Sequence, residues 1–176
     1  ESSVKLAGRE LRFFDTPGHA RHHVCIQDSR SGHVFSGDTF GLSYREFDDG
    51  DRQFVIPTSS PVHFDPAAAH RSVDLIAGLK PGAVYVTHYS RVWEINRLAD
   101  DMHRLIDAYV DLAQRCGGPH PNRHARLKQG MTDIVLGEAK RYGWKPDAAA
   151  IIDVLGGDID LNAQGLAIWY DGRTAG

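Results

Sequence analysis

The sequence predicts an α/β fold with its strands in the first half and helices closing the chain. Three observations carry this. Short apolar runs stand between turn clusters rich in Gly, Pro and Ser over residues 11–40 and again at 83–87. A long stripe of apolar residues at helical spacing runs from 93 to 115. After Gly117-Gly118-Pro119 the remaining segments read as helical.

Taken in order, residues 11–15 (LRFFD) form a strand stopped by Thr16-Pro17-Gly18. Pro17 cannot donate to a ladder and Gly18 accepts a positive φ, so the chain turns sharply and His19 lies just past the strand end. Residues 23–28 (HVCIQD) and 33–36 (HVFS) make a hairpin around Ser29-Arg30-Ser31-Gly32, and its second arm runs into Gly37-Asp38-Thr39. Antiparallel pairing brings His19 and Asp38 to the same end. Residues 41–53 are polar and acidic (Glu46, Asp48, Asp49, Asp51), which predicts an exposed loop, and 54–64, with Pro57 and Pro61, reads as irregular. Asp65-Pro66 starts a helix that runs to about 80, with a capping carboxylate and proline at the first position. Residues 83–87 (AVYVT) form a buried-type strand that delivers His88. Ile95, Leu98, Met102, Leu105, Ile106, Tyr109 and Ala113 then line one face of the longest helix. Beyond Gly117, helices are predicted at 131–142 and 148–155, with a closing segment at 161–170 after Gly156-Gly157. The division is thus 1–116 and a helical extension, 117–176.

At 176 residues the chain can bury one core. A formal net charge of −3 gives no electrostatic footprint for nucleic acid. No apolar run is long enough to span a bilayer, and ESSVKLAGRE has neither the basic start nor the apolar region of a signal peptide. Two cysteines, Cys25 and Cys116, make no disulfide framework and point to a reducing, cytoplasmic setting. The unusual feature is ten histidines, and their placement matters more than their number. His19, Asp38 and His88 each follow a strand or turn, and imidazole and carboxylate suit a borderline ion such as zinc. His22, His120 and His124 read as solvent-facing, and His33 as structural.

The order TPGHxxxH, GDT, THYS resembles the second half of the metallo-β-lactamase superfamily, and PTSSPVHFDP (57–66) and LNAQGLAIW (161–169) are similar to segments of a bacterial subgroup of these hydrolases. The resemblance implies an αβ/βα sandwich of two face-to-face sheets with helices outside, of which this chain would supply the second sheet. It implies two divalent metal ions, zinc first with iron or manganese as alternatives. His19 would hold one ion, His88 the other, and Asp38 would bridge both. His23 would support the ligands from behind, and Asp15 could orient a ligand imidazole. Tyr89 and His63 are the candidates for contact with a small-molecule substrate. The implied activity is hydrolysis of an ester, thioester, amide or phosphoester by a hydroxide held between the ions, with Asp38 and His88 catalytic through the metals.

The motif HxHxDH, which supplies the remaining ligands in that superfamily, does not occur in the sequence. Two readings follow: an enzyme whose first half is an upstream segment or another chain, or a pseudo-enzyme. The missing initiator methionine favours the first. An iron-dependent oxidoreductase on the same fold is the alternative enzyme, and a non-catalytic binding protein, if the chain is complete, is the alternative of another class. Neither nucleic acid nor membrane is expected as a partner, and a homodimer is an option. One physical expectation is independent of the motif. Val24, Ile26, Phe35, Val84 and Val86 would line a sheet face that nothing in the chain can cover.

Overall fold

A computed structural model describes residues 2–50, 52–88 and 90–174. Six strands form one sheet in chain order: β1 (Ser2–Leu6), β2 (Arg9–Asp15), β3 (Val24–Asp28), β4 (Val34–Gly37), β5 (Val84–Val86) and β6 (Ser90–Val92). Neighbours are antiparallel except β4 and β5, which are parallel and joined by a crossover through α1 (Pro66–Gly78). α2 (Ile95–Cys116), α3 (Arg123–Tyr142) and α4 (Ala148–Thr174) follow. The helix after Asp65 starts as its sequence dictates, with the Asp65 carboxylate accepting the Ala68 N–H at 3.0 Å and Pro66 at the first position.

The two faces of the sheet differ. Cys25, Val34, Val84 and Val92 point to one side and are fully buried, in one cluster with Val73 and Ile76 of α1 and Leu98, Met102 and Leu105 of α2. The other side is open. Pairing of Val4 with Leu11, Phe13 with Ile26, Ile26 with Phe35, and Phe35 with Tyr85 builds a continuous apolar row across five strands. Val4, Leu6, Val24 and Phe35 on this side are 54%, 62%, 47% and 46% exposed. The expectation of an uncovered face is met, with one correction. Val84 and Val86 are on the covered side, because the parallel register sets Val34 beside Val84 and leaves Tyr85 beside Phe35.

Two further expectations are corrected, and two strands are added. Residues 41–53 are not an exposed loop. Leu42, Phe47 and Gln53 are buried, Phe47 and Phe54 pack on Trp144 at 4.4 and 4.5 Å between ring centres, and Gln53 accepts the Trp93 N–H at 3.0 Å. The segment folds inward on isolated aromatic residues that have no period to betray them, while Glu46 and Asp49 stay outside. Two strands, β1 and β6, had no sequence signal. β1 has only Val4 and Leu6 as apolar residues, and β6 is three residues long. α4 runs unbroken through Gly156-Gly157. Each glycine costs about 1 kcal/mol in a helix, but Leu155, Ile159, Ala163 and Leu166 continue a buried stripe across the pair. A fully buried Leu or Ile contributes ~1.5–3 kcal/mol, so burial wins. Through these residues the core continues from α2 into α3 and α4 without interruption.

Candidate metal centre

The three loops that carry His19, Asp38 and His88 are each fastened from behind. The turn before His19 docks on α1. The Asp65 N–H donates to the Gly18 carbonyl at 2.8 Å, and the Ser72 hydroxyl donates to the Pro17 carbonyl at 2.6 Å. A Cβ on Gly18 would lie 2.5 Å from the Ala69 backbone, so only glycine permits this approach. The turn after β4 is held by the Thr87 N–H on the Gly37 carbonyl at 3.3 Å, and the turn after β5 by the Ser43 N–H on the His88 carbonyl at 2.7 Å.

These anchors bring the three side chains together. The Nε2 atom of His19 lies 3.5 Å from Oδ2 of Asp38, and Nε2 of His88 lies 3.5 Å from its Oδ1. Each imidazole thus faces a different oxygen of one carboxylate. Oδ1 of Asp38 is buried without a hydrogen-bond partner among the described residues, an arrangement that leaves a charged lone pair for a cation. No group of three or more His, Cys, Asp or Glu converges on a single point among the described residues. The donors therefore fit a shared carboxylate with one histidine to either side, and they fall short of the four partners zinc takes.

His23 stands behind Asp38. Its Nε2 accepts the Asp38 backbone N–H at 3.0 Å, so Nδ1 carries the proton of the neutral ring and donates to Thr39 Oγ1 at 2.8 Å. Thr39 in turn donates to the Thr16 carbonyl at 3.2 Å. Burial lowers the His23 pKa, and the neighbouring His19 lowers it further, against a smaller opposing effect of Asp38. The ring stays neutral, as an acceptor at Nε2 must. Cys25, beneath it, has its thiol pushed up by burial to about 11, which makes it an inert core residue.

The other expected residues are placed as follows. Asp15 is exposed at the end of β2, paired with Val24 on the open side of the sheet. The group that meets the second nitrogen of His19, Nδ1, is the hydroxyl of Thr58. His63 lines a different cavity, of about 460 Å³, with Arg21, Trp169 and Arg173. Tyr89 lies outside the described residues. His22, His120 and His124 are exposed, and His33 is half-buried, its ring 5.7 Å from that of Tyr85.

Helix α4 supplies what the sequence reading missed. His19, Asp38 and His88 open into a cavity of about 270 Å³ whose other walls include Thr58, Ser60, Asp158 and Asn162. Asn162 fixes the loop that carries Thr58. Its Oδ1 accepts the Ser59 N–H at 2.6 Å, and its carbonyl accepts the Ser59 hydroxyl at 3.0 Å. Asp158 accepts the Tyr44 hydroxyl at 2.5 Å. The hydroxyl-rich run Thr58-Ser59-Ser60 was the available signal, but only the fold shows which hydroxyl faces the histidine.

The family model of the metallo-beta-lactamase superfamily matches residues 1–88. No curated protein matches the chain. Among solved structures, a metallo-beta-lactamase family protein from Thermus thermophilus is 17% identical with a TM-score of 0.58, over 99% of this chain and 48% of that one. An archaeal superfamily protein from Sulfolobus tokodaii is 22% identical with a TM-score of 0.51, over 94% and 48%. A beta-lactamase domain protein from Burkholderia ambifaria is 19% identical with a TM-score of 0.52, over 88% and 44%. The chain spans about half the length of these structures. At such identities the likeness is one of fold.

Proposed function

The chain belongs to the metallo-beta-lactamase superfamily, and from that premise we propose that it forms one side of a two-metal hydrolytic site. The observation that carries the proposal is the Asp38 carboxylate, with one imidazole Nε2 3.5 Å from each of its oxygens. Asp38 would hold two divalent ions together, His19 one and His88 the other. Zinc suits these donors, and iron or manganese would be accepted by the same set. When bound, the ions would supply an activated water and a centre that stabilises the negative charge growing on a carbonyl or phosphoryl oxygen.

The chain's own residues do the positioning. Thr58 orients the His19 ring, and His23 holds the Asp38 backbone, so that three ligand atoms on three loops keep a fixed spacing. Asn162 and Leu161 of α4 line one wall of the cavity.

The remaining ligands would come from a segment carrying HxHxDH, seated on the open sheet face. That face supports the reading because its exposed Val4, Leu6, Val24 and Phe35 are the surface a second sheet of a sandwich would bury. At ~25 cal/mol per Å², covering several such side chains is worth on the order of 5–10 kcal/mol, comparable with the stability of a domain. Residues 1–176 expressed alone should bind a hydrophobic dye and lack a cooperative thermal transition. A cooperative monomer that binds no dye would remove the need for the segment.

Activity itself is tested by substitution. Asp38→Ala should abolish metal-dependent hydrolysis and lower metal content with the fold retained, because it removes the carboxylate that faces both His19 and His88. His22→Ala, at an exposed ring, should leave the rate within a few-fold. Equal loss in both, with metal content unchanged, would sink the assignment.

A further inference from the structure

A second cluster of histidines and carboxylates lies on the seam between α1 and α2, and none of its residues lines the cavity of His19, Asp38 and His88. His70 and Asp74 are four apart on α1, and His103 and Asp107 are four apart on α2. The two His-x3-Asp pairs cross. Nε2 of His70 lies 3.1 Å from Oδ1 of Asp107, and Nε2 of His103 lies 3.0 Å from Oδ1 of Asp74. The imidazole rings lie edge to edge, with centres 5.0 Å apart and planes 13° from parallel, and their Nδ1 atoms face each other at 2.6 Å.

Proton counting shows what this arrangement needs. An ionised carboxylate only accepts, so each Nε2 must carry the hydrogen it donates to its aspartate. A neutral imidazole protonated at Nε2 has a lone pair at Nδ1. Two such lone pairs 2.6 Å apart repel unless something positive lies between them. That cation can be a shared proton or a metal ion. A metal ion is the better match to the surroundings, because each ring is already held by a carboxylate on its far nitrogen, the pattern found behind metal-bound histidines. Two carboxylates also balance the charge of a divalent ion, where one proton would leave the cluster negative.

We propose that His70 and His103 bind a divalent transition-metal ion through their Nδ1 atoms, with Asp74 and Asp107 holding the rings, at a site separate from the hydrolytic centre. Copper(II) is the strongest candidate, then nickel(II) and zinc(II), as the affinity order for nitrogen donors dictates. With bonds of ~2.0–2.1 Å the two nitrogens would stand about 2.9 Å apart at the right angle of tetragonal copper(II) and about 3.3 Å apart at a tetrahedral angle, so the rings must part by roughly 0.3–0.7 Å from their present 2.6 Å and tilt toward the ion. Both rings can move that far, since they are 29% and 28% exposed on helix surfaces and both aspartates are 72% exposed. Water would complete the coordination. The ion would pin α1 to α2 one residue from Ala69, against whose backbone the Gly18 turn packs.

The test uses copper(II) as the probe, on the protein isolated with whatever covers its open sheet face. In an Asp38→Ala, His88→Ala background, one equivalent of copper should still bind, and electron paramagnetic resonance should show hyperfine coupling to two imidazole nitrogens. Adding His70→Ala or His103→Ala should weaken that binding at least tenfold and remove the two-nitrogen pattern. Asp74→Asn should weaken it less, while keeping both nitrogens. In the otherwise unaltered protein, His70→Gln should remove one equivalent of copper and spare the rest, which keeps the test valid if the double background folds poorly. Copper bound with unchanged affinity after His70→Ala, or no copper bound in the folded background, would overturn the proposal and leave a shared proton between the rings. Neither result bears on the hydrolytic centre, which has lost its shared carboxylate Asp38 and its ligand His88 in this background.

Discussion

The backbone N–H of Asp38 donates to Nε2 of His23 at 3.0 Å, and the same ring fills the space beside Gly37 where a side chain would project. A Cβ on Gly37 would collide with the ring, and the residue has a φ of +53°. Glycine and histidine here are one device for aiming a carboxylate. Gly37→Ala should therefore cost ~1–2 kcal/mol from the left-handed backbone alone, with further loss from displacement of the ring. His23→Ala leaves the Asp38 N–H without its acceptor, a loss of about 1–3 kcal/mol. Both variants should lose metal as well as stability. On the protein with its open sheet face covered, here and in the two tests that follow, urea unfolding and metal content per chain measure the two effects, and full metal occupancy in His23→Ala would mean that the ring plays no part in placing Asp38.

Helix α4 touches the site through Asn162 and Gly165. A Cβ on Gly165 would collide with the Ser59 carbonyl oxygen, so helix and loop are in direct backbone contact. Gly165→Ala should lower the urea midpoint sharply and loosen Thr58 from His19. Asn162→Ala should cost about 1–3 kcal/mol by leaving the buried Ser59 N–H unpaired. Gly157→Ala, in the same helix with open space around its Cβ, should gain up to ~1 kcal/mol of helix propensity. Opposite signs for positions 157 and 165 in one helix are the expected outcome, and a loss at both would mean that α4 does not pack as described.

The seam between α2 and α3 is electrostatic and should be sensitive to acid. Asp101 is 4% exposed, and burial pushes its carboxyl up. Hydrogen bonds from Arg104 and Tyr142, with the charges of Arg104 and Arg141, outweigh burial and hold its pKa below the usual carboxylate value. The unfolded chain therefore binds this proton first. The stabilisation from Asp101 is complete above the unfolded carboxylate value of about 3.9, and it is lost as pH falls through the lower folded value. Asp101→Asn should be less stable than the unaltered protein at pH 7, and the gap should narrow below about pH 4. Urea midpoints across that range give the answer. A gap that stays constant would show that the carboxylate is not what holds the seam.

Much of this was readable from the chain, for identifiable reasons. The ends of the early strands are written in Pro17, which cannot donate to a ladder, and in Gly18 and Gly37, which accept the positive φ of a turn, so the loops of His19 and Asp38 could be placed. The helix start at Asp65-Pro66 is a local signal of the same kind. What stayed hidden depends on distant contacts. Phe47 and Phe54 are buried because Trp144 arrives from the far end of the sequence. Thr58 reaches His19 because Asn162 holds its loop across more than a hundred residues. Asp15 looked well placed one turn before His19, but strand alternation turns it to the open face with Val24. Val84 and Val86 were given the wrong side because a run of alternating residues fixes two faces without saying which is covered.

Anomalous scattering at the zinc edge, from crystals of the protein grown with zinc and with its open sheet face covered, addresses the central claim most directly. The account predicts two peaks roughly 3.5–4 Å apart with the Asp38 carboxylate between them. His19 Nε2 should lie ~2.0–2.1 Å from one peak and His88 Nε2 the same distance from the other. A folded, zinc-saturated protein with no peak in bonding distance of Asp38 would contradict it.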